Sequence, residues 1–266
     1  KTTTEVTLNG EIKAANLIVQ SQNNVKSVVY STASAYSGVV AASSVKENTK
    51  AELNTLVKLT GAKVITDNDI TVLAKSNHAF TSTATGSAWA LIAASGTMKE
   101  YHDITDVVKV ILDGADLKAN GKVNILAFAA ADDSLKAEAG QGGIYSGVEY
   151  VTDGKIKQNA NVEFSGTGST VAGVQGVSIS TNTDTRGNAN SNITGSYGLV
   201  DSITVTAAMT MVIDSAITMC DKTTVVADKG NVLINAAVKK INAVAKSSGN
   251  THSLFHITLK PDAKTD

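Results

Sequence analysis

The chain has 266 residues, 42% of them hydrophobic, and a formal net charge of −1. A net charge this close to zero provides no long-range electrostatic attraction to nucleic acid or to an anionic membrane. No apolar run approaches the roughly 18–20 residues of a membrane span, so we expect no transmembrane segment. The single cysteine, Cys220, excludes an internal disulfide framework and zinc-finger spacing.

The composition favours a thin core and continuous hydrogen-bonded sheets. Aromatic residues are 4% of the chain and include one tryptophan, so the core must consist of small and β-branched side chains. The only proline, Pro261, lies near the end of the chain. Proline is excluded from central strands because it lacks the N–H donor that a ladder needs.

The N-terminal segment, residues 5–19, is a series of short alternating pieces. Val6 and Ile12 are six positions apart and flank Asn9-Gly10, a dipeptide typical of tight turns. The same arrangement of two apolar runs around a turn recurs along the chain, in the pairs Val64/Ile70, Leu117/Val123 and Val171/Val177, and with one extra residue in Val225/Val232.

These recurring pairs have a fixed period. The successive steps from Val64 to Leu117, Val171 and Val225 are 53, 54 and 54 residues. A constant spacing in this range is the signature of a repeat architecture. We therefore predict about five copies of a repeat of ~54 residues, with anchors near Val6, Val64, Leu117, Val171 and Val225.

Two further runs, rich in Val, Ile and Thr, follow the anchor pair in each repeat and are five to nine residues long. Residues 47–59 also fit a helix. Their counterpart one period later, residues 102–112 (HDITDVVKVIL), is strongly β-branched and favours a strand. Residues 237–245 have helical spacing too, and there we predict a strand while a helix remains the alternative.

A unit of this length made of short strands cannot cover its own apolar face, so copies must stack. The signatures of a β-propeller blade are missing, and tandem sandwich domains require a longer period and a core aromatic. The pattern predicts an all-β chain, a single parallel β-helix (β-solenoid) over residues 1–266, in which each repeat supplies two or three coils. Asn120-Gly121 would be a corner between consecutive strands of one coil. Exposed solenoid ends are prone to aggregation, so we expect a segment of a longer chain.

No constellation of residues predicts a catalytic, cofactor-binding or metal site. His252 and His256 have i, i+4 spacing, but their neighbours favour a strand, on which they would stand ~13 Å apart. Glu100, His102 and Asp106 belong to the densest polar cluster, at a place where we expect turn residues.

Two smaller features have structural interpretations. Thr181, Thr183 and Thr185 share one strand face, as in ice-binding solenoids, but the ladder occurs once, which favours loop or strand-edge threonines. Cys220 has no obvious histidine partner and fits a small residue near the core wall. Acidic residues are scattered and Arg186 is the only arginine, so a polysaccharide lyase or hydrolase has little support, and we predict a non-enzymatic chain.

The anchor phrases resemble repeats of a known protein group. Residues 62–74 (AKVITDNDITVLA), 115–127 (ADLKANGKVNILA) and 224–236 (TVVADKGNVLINA), with Gly-rich passages such as 143–148, are similar to those of very large secreted bacterial exoproteins of the leukotoxin type, in the filamentous-haemagglutinin-like group. The resemblance implies a right-handed β-helix, export through an outer-membrane secretion partner, and a role in host-cell killing or adhesion.

The leading hypothesis is therefore a β-helical segment of a secreted toxin or adhesin, located outside the cell or on the bacterial surface, that presents a non-catalytic surface to host-cell protein or glycan. One alternative is a passive structural stalk of a surface exoprotein. The other is a polysaccharide-processing β-helix enzyme.

Overall fold

The computed structural model describes residues 1–252 and 257–265, and within them every regular element is a β-strand. In chain order the strands are β1 (Thr2–Leu8), β2 (Glu11–Ala14), β3 (Leu17–Ser37), β4 (Val40–Thr60), β5 (Lys63–Thr66), β6 (Ile70–Ala90), β7 (Ala93–Asp113), β8 (Asp116–Ala119), β9 (Lys122–Gly142), β10 (Tyr145–Ser165), β11 (Thr170–Gly173), β12 (Gly176–Tyr197), β13 (Val200–Thr218), β14 (Thr224–Ala227), β15 (Val232–His252) and β16 (Ile257–Thr265). In the part of the chain so described, no helix is long and apolar enough to cross a membrane.

The strands form three sheets in which all pairings are parallel. Sheet A has the order β1-β4-β7-β10-β13-β16, sheet B the order β14-β11-β8-β5-β2, and sheet C the order β15-β12-β9-β6-β3. The chain passes from A to B to C in every turn and then begins the next turn in A. This is a parallel β-solenoid of five rungs with a sixth strand in sheet A, so the predicted fold class is confirmed.

The sequence period corresponds to one coil. Val64 pairs with Leu117, Leu117 with Val171, and Val171 with Val225, each in the neighbouring rung. The prediction that each repeat supplies two or three coils was therefore wrong. The parallel register also confirms that Asn120-Gly121 is a corner, because β8 and β9 pair with neighbouring rungs in different sheets and not with each other.

The first anchor lies at a different residue from the one predicted. Ile12 pairs with Val64 in sheet B, whereas Val6 pairs with Val57 in sheet A. The six-residue spacing from Val6 to Ile12 imitates the anchor pair, but it crosses the corner from sheet A to sheet B instead of the corner from B to C. Sequence spacing alone does not distinguish these two corners.

The strands of sheets A and C are much longer than the predicted runs. Most have 21 residues, which corresponds to roughly 70 Å at ~3.3 Å per residue. Each complete strand of sheet A merges two predicted runs, because the polar residues between the runs stay in the strand and alternate inward and outward. Residues 47–59 and 237–245 lie in β4 and β15, so both predictions of a strand are confirmed.

Glycines at the corners have two different physical roles. At the corner from sheet A to sheet B, the backbone of Gly61 and Gly114 has φ values of 58° and 65°, which side-chain-bearing residues rarely adopt. Gly121 is not among the glycines with positive φ. Instead, a Cβ there would overlap the side chain of Asp69 and the backbone of Asn68 in the preceding rung. The glycine of the Asn120-Gly121 corner is therefore required by the close packing of neighbouring rungs.

The main hydrophobic core fills the end of the solenoid next to sheet B. Inward side chains from all three sheets meet there, including the anchors Val64, Leu117 and Val171, which are fully buried. Val225 packs against this cluster from the last complete rung and is only partly buried. The opposite end, where tight turns join sheet C to sheet A, has a different character and carries the candidate site.

Candidate functional site

The middle of the solenoid contains a belt of buried polar side chains, which we call the interior belt: His78, His102, Asp106, Asp133 and Gln158. His102 Nδ1 lies 2.5 Å from Asp133 Oδ1, and His78 Nδ1 lies 3.4 Å from Asp106 Oδ2. Gln158 Nε2 donates to the same Asp106 oxygen at 3.4 Å. The belt therefore links strands of sheets A and C across neighbouring rungs.

The predicted polar cluster belongs to this interior and not to turns. Glu100, His102 and Asp106 occupy alternate inward positions of β7 and are almost completely buried. The expectation of turn residues was wrong because a 21-residue strand passes through the cluster without interruption. The two sheets enclose these side chains, so no substrate in solution reaches them in this conformation.

Glu100 is buried, and no cationic side chain of the described residues contacts it directly. Its carboxylate accepts a hydrogen bond from the Ser82 hydroxyl. Burial raises the pKa of Glu100 above its usual value of 4.5, although the Ser82 hydrogen bond and the nearby His102 oppose the shift. The carboxyl group therefore binds its proton more tightly in the folded chain than in the unfolded chain.

Metal binding finds no support in the interior belt. In residues 1–252 and 257–265, no group of three or more His, Cys, Asp or Glu side chains has an arrangement that could hold a metal ion. The two histidine–aspartate pairs are separate, each with two potential ligands. A structural metal site needs about four ligands.

The remaining sequence candidates lie apart from one another. Thr181, Thr183 and Thr185 point inward from β12 and are fully buried, so the expectation of loop or strand-edge threonines was wrong. Cys220 is free and half-buried in the turn after β13, where its Sγ lies 3.3 Å from Thr223 Oγ1. His252 ends β15 and is exposed, while His256 lies outside the described residues.

A second feature lies at the end of the solenoid opposite sheet B. Tight turns at residues 38–39, 91–92, 143–144 and 198–199 join each strand of sheet C to the next strand of sheet A. We call this end the arc edge. It carries exposed aliphatic side chains in successive rungs, among them Val39, Leu91, Ile144 and Leu199. Extended exposed apolar patches are a feature of interaction sites.

Beside these turns, aromatic residues stand at one register position of sheet C. Tyr36 pairs with Trp89, Trp89 with Gly142, Gly142 with Tyr197, and Tyr197 with His252. The exposed fractions of Tyr36, Trp89 and Tyr197 are 73%, 37% and 50%. The rings of Tyr197 and His252 are stacked, with centroids 5.0 Å apart and planes at 16°.

The glycine in the middle of this aromatic row allows Trp89 to lean across the sheet. Trp89 and Tyr197 are two strands apart, which corresponds to about 9.6 Å between backbones, yet their ring centroids are 5.9 Å apart. A Cβ on Gly142 would overlap the indole ring. Trp89 therefore occupies the space above Gly142 and inclines away from its other neighbour, Tyr36.

The aromatic row and the turns together form an open groove with a volume of about 840 Å³. Three aromatic side chains and four glycines line it, together with small or aliphatic residues. Among the described residues, none that lines the groove carries a charge. The side chains offer hydroxyl groups from Tyr36, Ser37 and Tyr197, and Tyr36 Oη lies 3.1 Å from Ser87 Oγ outside the groove.

The sequence contains a signal for this groove that spacing would have identified. Trp89 follows Tyr36 by 53 residues, and Tyr197 follows Trp89 by 108 residues, which is two periods. The aromatic residues are therefore in phase with the anchors. The two histidine–aspartate pairs have no comparable signal, because each joins a residue of sheet A to a residue of sheet C.

Comparisons with known protein families, with curated proteins and with solved structures found no match.

Proposed function

We propose that this chain is a β-helical segment of a secreted bacterial toxin or adhesin and that it presents a non-catalytic surface to host cells. The observation that carries the proposal is the arc edge, where apolar and aromatic side chains are exposed in consecutive rungs. A solenoid whose only task is to be soluble places polar residues at its turns. Exposed apolar side chains lower solubility, and a binding role accounts for them.

Location and partners form part of the same proposal. The resemblance of the anchor phrases to leukotoxin-type exoproteins supports secretion, or display on the bacterial surface, through an outer-membrane partner. A formal net charge of −1 supports a partner other than nucleic acid. The host-cell partner would be a protein or a glycan at the cell surface.

The stalk alternative has its own support. All three sheets continue through the described rungs with parallel pairing, and register shifts are confined to β12. Such a body is stiff along its axis and suits a spacer. A stalk, however, provides no reason for an aromatic groove. The polysaccharide-processing alternative needs acidic or basic side chains beside the substrate, and no described residue that lines the groove carries a charge.

Binding of the fluorescently labelled chain to leukocytes and epithelial cells tests the proposal. The chain should bind at least one of these cell types, and Leu91→Asp together with Leu199→Asp should abolish binding by placing charges at the arc edge. Ile18→Asp, on the exposed outer face of sheet C, is the matched control and should bind normally. Absence of binding to both cell types, or equal binding by all variants, would contradict the proposal.

A further inference from the structure

We propose that the arc-edge groove binds an uncharged oligosaccharide that lies along the solenoid axis with one sugar ring against Trp89. This inference rests on the proposed binding function and names the class of ligand. A pyranose ring presents an apolar C–H face surrounded by hydroxyl groups. A complementary site therefore combines an exposed aromatic surface with hydroxyl groups at its margin, and no large flat apolar area is needed.

The groove provides both parts of such a site. Trp89 is partly exposed at its centre, with Tyr36 on one side and Tyr197 on the other. The phenol hydroxyl groups of these tyrosines and the Ser37 hydroxyl group can donate to or accept from sugar hydroxyl groups. The Tyr36 hydroxyl is already within hydrogen-bond distance of Ser87 Oγ, at 3.1 Å, which reduces the conformational freedom that binding would otherwise have to remove.

The absence of charge in the lining selects among glycans. Recognition of sulfate, or of the carboxylate of an acidic sugar, relies on Arg or Lys placed beside the anion. No such residue lines the groove in the part of the chain that the structure describes. An anionic group brought into it would lose hydration without a counter-charge. The ligand class that fits is therefore a neutral glycan.

The dimensions of the groove argue against a protein as the occupant. Between the Tyr36 and Tyr197 rungs lie three strand spacings, or about 14 Å. A stable protein interface buries about 800 Å² on each partner, so an interface only 14 Å long would have to extend nearly 60 Å across the sheet. Two or three sugar rings span the same 14 Å, because one ring covers roughly one strand spacing.

Gly142 makes the site possible by leaving room for the indole. Any side chain at this position would overlap Trp89 and push it back towards Tyr36. The aromatic platform depends on this one glycine, whereas Gly147, with open space around its Cβ position, provides a matched control on the next strand of the chain.

Trp89 is the only tryptophan, so its fluorescence reports binding directly. Titration with cellohexaose, maltohexaose and lacto-N-neotetraose should change the emission with at least one of the three, and a heparin hexasaccharide should leave it unchanged. For the sugar that binds, calorimetry should show at least about tenfold weaker binding for Trp89→Ala and for Gly142→Val. Gly147→Val, the matched control, should stay within a few-fold of the parent chain.

Each outcome bears on one inference. Failure of all three neutral sugars, binding of heparin alone, or equal affinity of Trp89→Ala and the parent chain would overturn the glycan inference. If cells are bound through the arc edge while the neutral sugars are not, the proposed function stands and the ligand class is wrong. If a neutral sugar binds at Trp89 while cells are not bound, the ligand class stands and the proposed host-cell function is wrong.

Discussion

Leu117 is the anchor at the centre of the solenoid, and its truncation is the most direct test of rung stacking. Its side chain has 0% exposure and belongs to the main core. The register places it between Val64 and Val171 in the two neighbouring rungs. Leu117→Ala therefore removes buried carbon atoms from the middle of a stacked column, where both neighbours are fixed by ladder hydrogen bonds.

The magnitude follows from the atoms removed and from the cavity that remains. Loss of three carbon atoms costs about 2.4 kcal/mol of transfer free energy, at ~0.8 kcal/mol for each. Leu→Ala substitutions in cores cost about 2–5 kcal/mol in total, and the upper part applies where the surroundings do not collapse. Because hydrogen-bonded strands lie on both sides, we expect the free energy of unfolding to fall by about 3–4 kcal/mol.

Urea unfolding is the measurement, followed by far-UV circular dichroism and by Trp89 fluorescence. The two transitions must coincide for a single free energy to be defined, since long repeat arrays can lose cooperativity. Leu233→Ala is the matched control. Leu233 also lies in a strand, but its exposed fraction is 56%, and we expect a change below about 1 kcal/mol.

A loss below about 1 kcal/mol at Leu117, or equal losses at Leu117 and Leu233, would refute the stacked column as the source of stability. A lower urea slope for Leu117→Ala would indicate a different failure. It would mean that the variant separates into independently unfolding parts.

Three further perturbations test other parts of the structure, each by urea unfolding. Because burial raises the pKa of Glu100 above 4.5, ionisation of this carboxyl opposes folding as the pH rises. Glu100→Gln should therefore stabilise the chain at pH 7.5 and have less effect near pH 4. Equal destabilisation at the two pH values would contradict the burial explanation. Gly61→Ala should lower the free energy of unfolding by about 1–2 kcal/mol because φ is positive there, whereas Gly38→Ala should be nearly neutral. Equal effects of the two substitutions would contradict backbone strain as the cause. His102→Leu should lower the free energy of unfolding by about 3–5 kcal/mol, because it leaves Asp133 buried and unpaired. Adding Asp133→Leu should restore most of the lost stability. No restoration would exclude the broken His102–Asp133 pair as the cause.

The period and the corner between sheets B and C were predictable from local features of the sequence. Each rung repeats the environment of the one before, so Val64, Leu117 and Val171 must all be apolar and must recur at the period of the coil. A period can be recognised in the sequence without knowing which sheet each residue belongs to. For the same reason Val6 was assigned the wrong role, since the spacing to Ile12 is identical at a different corner.

The length of the strands could not be predicted from polarity. Polar residues such as Thr152 and Thr185 are buried within long strands. In an isolated sequence they indicate breaks between short runs. In the solenoid they stay in the strand because the facing sheet or the next rung supplies a partner, as Ser191 does for Thr152 at 3.0 Å.

By itself the sequence determined the period, the parallel solenoid and the corner between sheets B and C, because these depend on the order of apolar and turn residues along a single coil. The tertiary structure alone decided that His102 meets Asp133 and that Trp89 leans over Gly142 towards Tyr197. The first contact joins sheets A and C within one rung, and the second joins strands of sheet C that are two rungs apart. Each contact depends on which side chains the stacking of rungs and sheets brings opposite each other. The distance in space between two such side chains is independent of their separation along the chain.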